Sequence, residues 1–187
     1  MSEISLIFVR HGEACGSWGE HPDPGLSKSG VSQSQKLISN NSLQLLEDYI
    51  FVSSPMSRAQ MTAAPLIKKY KKDLLLDNIF SEIPSSKVVV SEKREWLRRI
   101  MAMNISDLPK EVSDWRSNII TKSLSFSNNT IIFSHFMVIN AIVSGLMKRS
   151  EIMCFYPDYT SITQITLQNN RAISISLGDE KKTLINL

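Results

Sequence analysis

Two short runs in this chain, Ile4–Val9 and Thr130–Phe133, are apolar on both faces, and each stops at a histidine. A strand turns successive side chains to opposite sides, so a run without polar alternation needs cover on both. Parallel sheets flanked by helices supply that cover. The first run ends in Arg10-His11-Gly12 and the second in Ser134-His135. Open α/β sheets bind ligands beyond the carboxyl ends of their strands. The chain has three histidines in all, and two of them fall at these equivalent places.

The remaining pattern alternates strands with helices. A loop from Glu13 to Leu26 leads to Ser27, which can N-cap a helix running to about Ser39. Tyr49–Ser53 reads as a second strand, and Pro55 is placed to open a helix that ends in Lys68, Lys69, Lys71 and Lys72. Leu74–Asp77 is a third short strand. Helical spacing follows over Ser91–Met103, over Leu108–Lys122, and from Phe136 through Ile139, Val143 and Leu146. After residue 160 the period changes to two, and Asn169-Asn170 marks the turn of a hairpin. The order predicts an α/β three-layer sandwich.

Composition narrows the function. The 187 residues are 42% hydrophobic and carry a net charge of +3 from 21 basic and 18 acidic side chains. That excess is too small and too dispersed for a dedicated nucleic-acid binder. No apolar run reaches the roughly 18 residues of a membrane helix, and the first nine residues lack a signal-peptide pattern. Cys15 and Cys154 have no second cysteine at metal-ligand spacing. A cytoplasmic protein with reduced thiols is the expectation.

Arginine adds to the two histidines. Arg10 adjoins His11, and Arg58 lies in the first turn after Ser53-Ser54-Pro55, the next strand-to-helix junction. A guanidinium presents a planar fork of donors to phosphate oxygens, and a helix N-terminus adds amides and a favourable dipole. Arg10, His11, Arg58 and His135 together suit a dianionic phosphoryl group.

These motifs carry a resemblance. Arg10-His11-Gly12-Glu13 resembles the signature of the histidine phosphatase superfamily, also called phosphoglycerate mutase-like. Leu26-Ser27-Lys28-Ser29-Gly30 with Gln33 is similar to that family's Leu-Thr-x-x-Gly-x-x-Gln element. Ser53-Ser54-Pro55-Met56-Ser57-Arg58-Ala59-Gln60-Met61-Thr62-Ala63 resembles its Ser-Ser-Pro-x-x-Arg-Ala-x-x-Thr-Ala element, and Ser134-His135 its late histidine motif. Four ordered elements between residues 10 and 135 are far more specific than a lone Arg-His-Gly.

The resemblance implies one domain over residues 1–187, with a mostly parallel mixed sheet and a small helical lid at about 87–124. His11 is implied as a nucleophile that forms a phosphohistidine, so that one displacement becomes two. Arg10, Arg58 and His135 are implied to bind the phosphoryl oxygens, with Ser17 as a further phosphate contact. The general acid is implied on the loop after the third strand, which points to Glu82, with Glu92 and Glu95 as rivals. Glu13 reads as an orienting or turn carboxylate, and His21 as a surface residue. Trp18 and Trp96 could line the pocket. Phe136 departs from the family's commoner glycine after the late histidine and would narrow the pocket there. No metal or cofactor is implied, because arginine supplies the positive charge and no acidic cluster suits Mg²⁺.

Residues 87–122 hold eight basic and five acidic side chains. A basic lid could draw anionic substrates, and the alternative is a pair of solvated amphipathic helices. No Glu-Arg-x-Tyr-Gly stretch of the metabolic mutases follows Glu82. The expected activity is therefore hydrolysis of a phosphomonoester, on a small phosphorylated anion or a phosphoprotein. A mutase and an inactive phosphate-binding domain are the alternatives.

Overall fold

The computed structural model describes residues 3–16 and 21–181. Six strands and five helices follow the predicted order: β1 (Ile4–Arg10), α1 (Lys28–Lys36), β2 (Ile50–Ser53), α2 (Ser57–Tyr70), β3 (Leu74–Leu76), α3 (Lys93–Met101), α4 (Lys110–Leu124), β4 (Thr130–Ser134), α5 (Phe136–Leu146), β5 (Ile162–Gln168) and β6 (Arg171–Ser176). They form one mixed sheet of order β3-β2-β4-β1-β5-β6. The first four strands in that order run parallel, and the hairpin β5–β6 closes the sheet antiparallel.

The double-sided apolar pattern has its expected cause. Leu6, Phe8, Val52 and Ile132 face one core, packed by Ile119 of α4 and by Val138, Ile139, Ile142 and Val143 of α5. Ile7, Val9, Phe51, Ile131 and Phe133 face the other, packed by Leu37 after α1 and by Ala63 and Leu66 of α2. Neighbouring residues on one strand thus enter opposite cores, which makes the three layers. A third cluster lies at the carboxyl edge. Leu97 and Ile100 of α3, and Leu108 and Val112 around the start of α4, pack on Ile83, Phe136, Met137 and Ile152. It ties the segment 87–124 to the N-terminus of α5.

Local chemistry sets the boundaries. Ser27 caps α1 by accepting from the Gly30 amide at 3.0 Å. α2 begins at Ser57 rather than at Pro55. The Ser54 amide still bonds the Phe133 carbonyl of the sheet, so the chain needs a turn over Pro55 and Met56 before it can coil. Asn169 and Asn170 both hold positive φ, 53° and 58°, between the paired residues Gln168 and Arg171. That is the two-residue loop whose twist matches the strands it joins. Cys15 is exposed and Cys154 half-buried, and neither is in a disulfide. Among the described residues no helix is long and apolar enough to cross a membrane.

The hairpin turn yields a direct test. Left-handed backbone costs a Cβ-bearing residue about 1–2 kcal/mol, less for asparagine. Asn170→Ala is therefore expected to lower the urea unfolding free energy by about 1 kcal/mol, while Asn170→Gly leaves it unchanged or raises it.

Candidate active site

The pairing of β1 with β4 brings the two histidines together. Arg10 lies opposite Ser134 in the parallel register, so the next residue on each strand is a histidine. The rings of His11 and His135 meet edge to face with centroids 5.2 Å apart. β2 flanks β4 on its other side, with Ser53 opposite Phe133. The following residue, Ser54, places its Oγ 2.8 Å from His135 Nε2. Three adjacent strand ends thus build the floor of one site.

His11 has a defined tautomer. Its Nδ1 lies 2.7 Å from the Gly12 carbonyl, which can only accept, so Nδ1 carries the proton. Nε2 is then the lone-pair nitrogen, and it accepts from Arg58 Nε at 3.2 Å. Burial, followed by the charges of Arg58 and Arg10, holds His11 well below its ordinary pKa. Burial, then Arg58, His11 and Arg10, does the same to His135. Both rings are neutral at physiological pH.

The motifs around them act as mechanical parts. A Cβ on Gly12 would meet the Gly30 carbonyl at 2.8 Å, and one on Gly30 would meet the Glu13 carbonyl at 2.1 Å. α1 therefore packs backbone to backbone against the His11 loop, which only glycine permits. Gln33 Oε1 accepts from the Glu13 amide at 2.8 Å, and the Ser27 hydroxyl donates to the Glu13 carboxylate. Glu13 is thus an orienting carboxylate. Thr62 Oγ1 accepts from the Gly12 amide at 3.0 Å and donates to the Arg58 carbonyl at 2.7 Å, so α2 is fixed to the same loop.

Arg10 is buried and clamped. Its Nη1 donates to the Pro157 carbonyl at 2.8 Å. Its Cζ lies 4.2 Å from the Tyr159 ring centroid and 5.1 Å from that of Phe136. The aromatic faces offset part of the cost of burying the charge. Phe136 thus narrows the pocket, as expected of a bulky residue there, and it also holds an arginine in place.

Glu82 closes the site from the loop after β3. Its carboxylate accepts from its neighbour Ile83's amide at 3.0 Å and from the Met137 amide, in the first turn of α5, at 3.4 Å. Burial raises its pKa, and the Ile83 hydrogen bond, Arg58, the Met137 bond and Arg10 oppose that rise. Glu92 and Glu95 are exposed, and neither lines the cavity. Glu95 instead pairs with Arg98 at 3.7 Å on the surface of α3. Arg10, His11, Arg58 and Glu82 line a single cavity of about 230 Å³, with His135 buried beneath it against Ser54. Exposed His21 stands at its rim. Trp96 is not among the lining residues. Ser17 and Trp18 lie outside the described residues. Among the described residues no group of three histidine, cysteine or carboxylate side chains could hold a metal ion.

Two residues at the site left no sequence signal. Tyr159 sits in an irregular stretch 149 positions after Arg10. Asp23 caps α2 from a distant loop, accepting from the Ser57 amide at 2.9 Å and from the Ser57 hydroxyl. The local cap position holds Met56, which has no side chain able to serve.

The model of the histidine phosphatase superfamily (branch 1) matches residues 6–180. No curated protein matches the sequence. Among solved structures, the phosphoserine phosphatase of Entamoeba histolytica, in complex with 3-phosphoglyceric acid, is 20% identical with a TM-score of 0.69. That alignment covers 98% of this chain and 100% of that one. A mycobacterial glucosyl-3-phosphoglycerate phosphatase, in complex with VO3, is 17% identical with a TM-score of 0.73, covering 95% and 100%. A phosphoglycerate mutase of Bacillus anthracis is 17% identical with a TM-score of 0.67, covering 95% and 94%. At these identities the likeness is one of fold.

Two predictions follow from the burial and the distant cap. A histidine whose folded-state pKa is depressed contributes its full stability above the ordinary value of about 6.5, and that contribution is lost as pH falls. Each histidine can add at most about 1.4 kcal/mol per pH unit to the acid-side slope. Glu82, with its raised folded-state pKa, acts with the opposite sign, from the ordinary carboxylate range upward. His135→Asn is expected to flatten the fall in unfolding free energy between pH 7 and pH 5.5, measured by urea titration at each pH. Separately, Asp23→Ala is expected to cost about 1 kcal/mol in the same assay at pH 7, as for a lost helix cap. It should also weaken vanadate binding through Arg58, whereas Asp23→Asn retains much of both.

Proposed function

Because the chain belongs to the histidine phosphatase superfamily, branch 1, we propose that it hydrolyses a phosphomonoester through a phosphohistidine on His11, without a metal ion. The observation that carries this reading is the His11 tautomer: Nδ1–H is held by the Gly12 carbonyl, and the Nε2 lone pair sits in a cavity lined by two arginines and a buried carboxyl. The phosphoryl group docks against Arg10, Arg58 and His135. The positive charge of the two arginines and the N–H donors of all three match the charge that spreads over the equatorial oxygens in the transition state. Ser17 is a further candidate contact.

His11 Nε2 attacks phosphorus, the P–N bond forms, and the bond from phosphorus to the leaving oxygen breaks. That oxygen takes a proton from Glu82 and departs as an alcohol. Water then attacks the phosphohistidine. The P–N bond breaks, the water proton passes to Glu82, and phosphate leaves. Burial of Glu82 favours the protonated form that the first step needs. The helical segment 87–124 acts as a lid over this site. The substrate is a small phosphorylated anion, and the two unpaired cysteines suit a cytoplasmic setting.

His11→Ala is expected to abolish turnover and the acid-labile, alkali-stable phosphoryl label on the protein. Glu82→Gln should slow phosphorylation from an alkyl phosphate by about 10²–10⁴-fold while barely slowing it from an aryl phosphate with an acidic phenol. Because the acid must be protonated, native kcat/KM on the alkyl ester falls as pH rises, and Glu82→Gln removes that alkaline limb. Equal losses on both esters, read in the pre-steady-state burst, exclude Glu82 as the acid.

EDTA is expected to leave the native rate unchanged, since the arginines supply the charge. Loss of activity restored by Mg²⁺ or Zn²⁺ contradicts the metal-free part of the reading.

A further inference from the structure

Most of the charged side chains of the segment 87–124 lie away from the cavity, and among the described residues Lys93 is the one that reaches its walls. Lys87 pairs with Glu111 at 3.2 Å, Lys110 with Asp114 at 2.6 Å, and Lys122 with Asp77 at 3.3 Å. Arg98 lies beside Glu95, and Arg116 lies against Gly145 of α5. Arg94 and Arg99 are exposed and do not line the cavity. Among the described residues, Lys93 is the one lysine or arginine of the walls besides Arg10 and Arg58. Those two are already engaged, Arg10 by Pro157, Tyr159 and Phe136, and Arg58 by His11 Nε2.

The walls that remain for a leaving group are mainly apolar. Pro22 and Pro24 come from the His11 loop, Met56 from the turn before α2, Ile83 from the loop after β3, Leu97 from α3 and Met137 from α5. Ile83 and Leu97 are themselves buried, so this wall continues into a packed cluster. Ser81 and Ser85 add hydroxyls but no charge. At about 230 Å³ the space is smaller than most drug-sized ligand pockets, which span roughly 300–1,000 Å³. A carboxylate on the leaving group would lose its water here, with Lys93 the one cation of the described walls beyond the two arginines, and desolvating a charge is costly. An alkyl or aryl group would gain from the same burial.

We infer that the substrates of this site are small phosphomonoesters whose leaving groups are apolar and uncharged, and that Met56, Ile83 and Leu97 set this preference. The inference rests on the phosphatase reading, and the test separates the two. The native protein is assayed on ethyl, butyl and hexyl phosphate and on phosphoserine and 3-phosphoglycerate. Binding of the same intact esters to His11→Ala is measured by calorimetry. The expected result is that kcat/KM rises about fourfold for each methylene buried. Both carboxylated esters should fall at least tenfold below butyl phosphate in kcat/KM and in affinity. Met56 is only half-buried at the turn before α2, so Met56→Lys puts a second ammonium into the wall without opening the core. It should narrow that gap or reverse it. A flat response to chain length, or a preference for phosphoserine or 3-phosphoglycerate, overturns the inference and leaves the phosphatase reading intact. Absence of turnover on every ester, with butyl phosphate still bound more tightly than phosphoserine, overturns the phosphatase reading and keeps the apolar pocket. Absence of both turnover and that binding order overturns both.

Discussion

The parallel pairing of β1 with β4 is the contact on which the site depends. It sets Arg10 against Ser134 and so delivers His11 and His135 to the same edge, one residue beyond the last pair. A slip of one residue would turn Leu6 and Phe8 into the core now filled by Ile7 and Val9. Since both cores are filled, the register of the hydrophobic core and the meeting of the histidines are one constraint. The placement of the two histidines is inherited from sheet packing rather than from loop conformation.

Burial then gives that placement its chemical meaning. The two imidazoles are held neutral because burial, and then the charges of Arg58 and Arg10, make a further positive charge in this pocket unfavourable. The same burial pushes Glu82 toward its protonated form. One environment therefore favours a neutral imidazole beside a protonated carboxyl, the two states on which the proposed mechanism draws. Arg10 stays charged in the same pocket because a carbonyl and aromatic faces replace part of its water.

The surrounding motifs hold this arrangement by steric contact and a few hydrogen bonds. Gly12 and Gly30 let two backbones touch, and Gln33 and Thr62 close the remaining amides. α2, which carries Arg58, is bound to the His11 loop at Thr62 and capped from that loop by Asp23. Movement of the loop is thereby coupled to the position of the guanidinium.

How much of this was legible in the sequence depends on how local each signal is. The double-sided apolar runs, the Ser27 cap, the Asn169-Asn170 turn and the four groups at strand ends all express physics within a few residues, so sequence determined them. α2 starts two residues beyond Pro55 because Pro55 is tied up in a turn set by the sheet. Tyr159 and the Asp23 cap were invisible, since each acts across the chain through a contact that no spacing encodes. The lid charges could be counted in the sequence but not aimed. Tertiary packing decided that Lys87, Lys110 and Lys122 pair with carboxylates outside the cavity while Leu97 of the same segment faces inward. It also placed Glu82 rather than Glu92 or Glu95 in the cavity: the Glu82 carboxylate meets the first turn of α5, whereas Glu92 and Glu95 stand on the solvent side of the segment whose Leu97 and Ile100 pack inward. A sequence states which groups are available and which local geometry they prefer. Which of them share one desolvated space follows from how the layers close, and that closure sets their charge states.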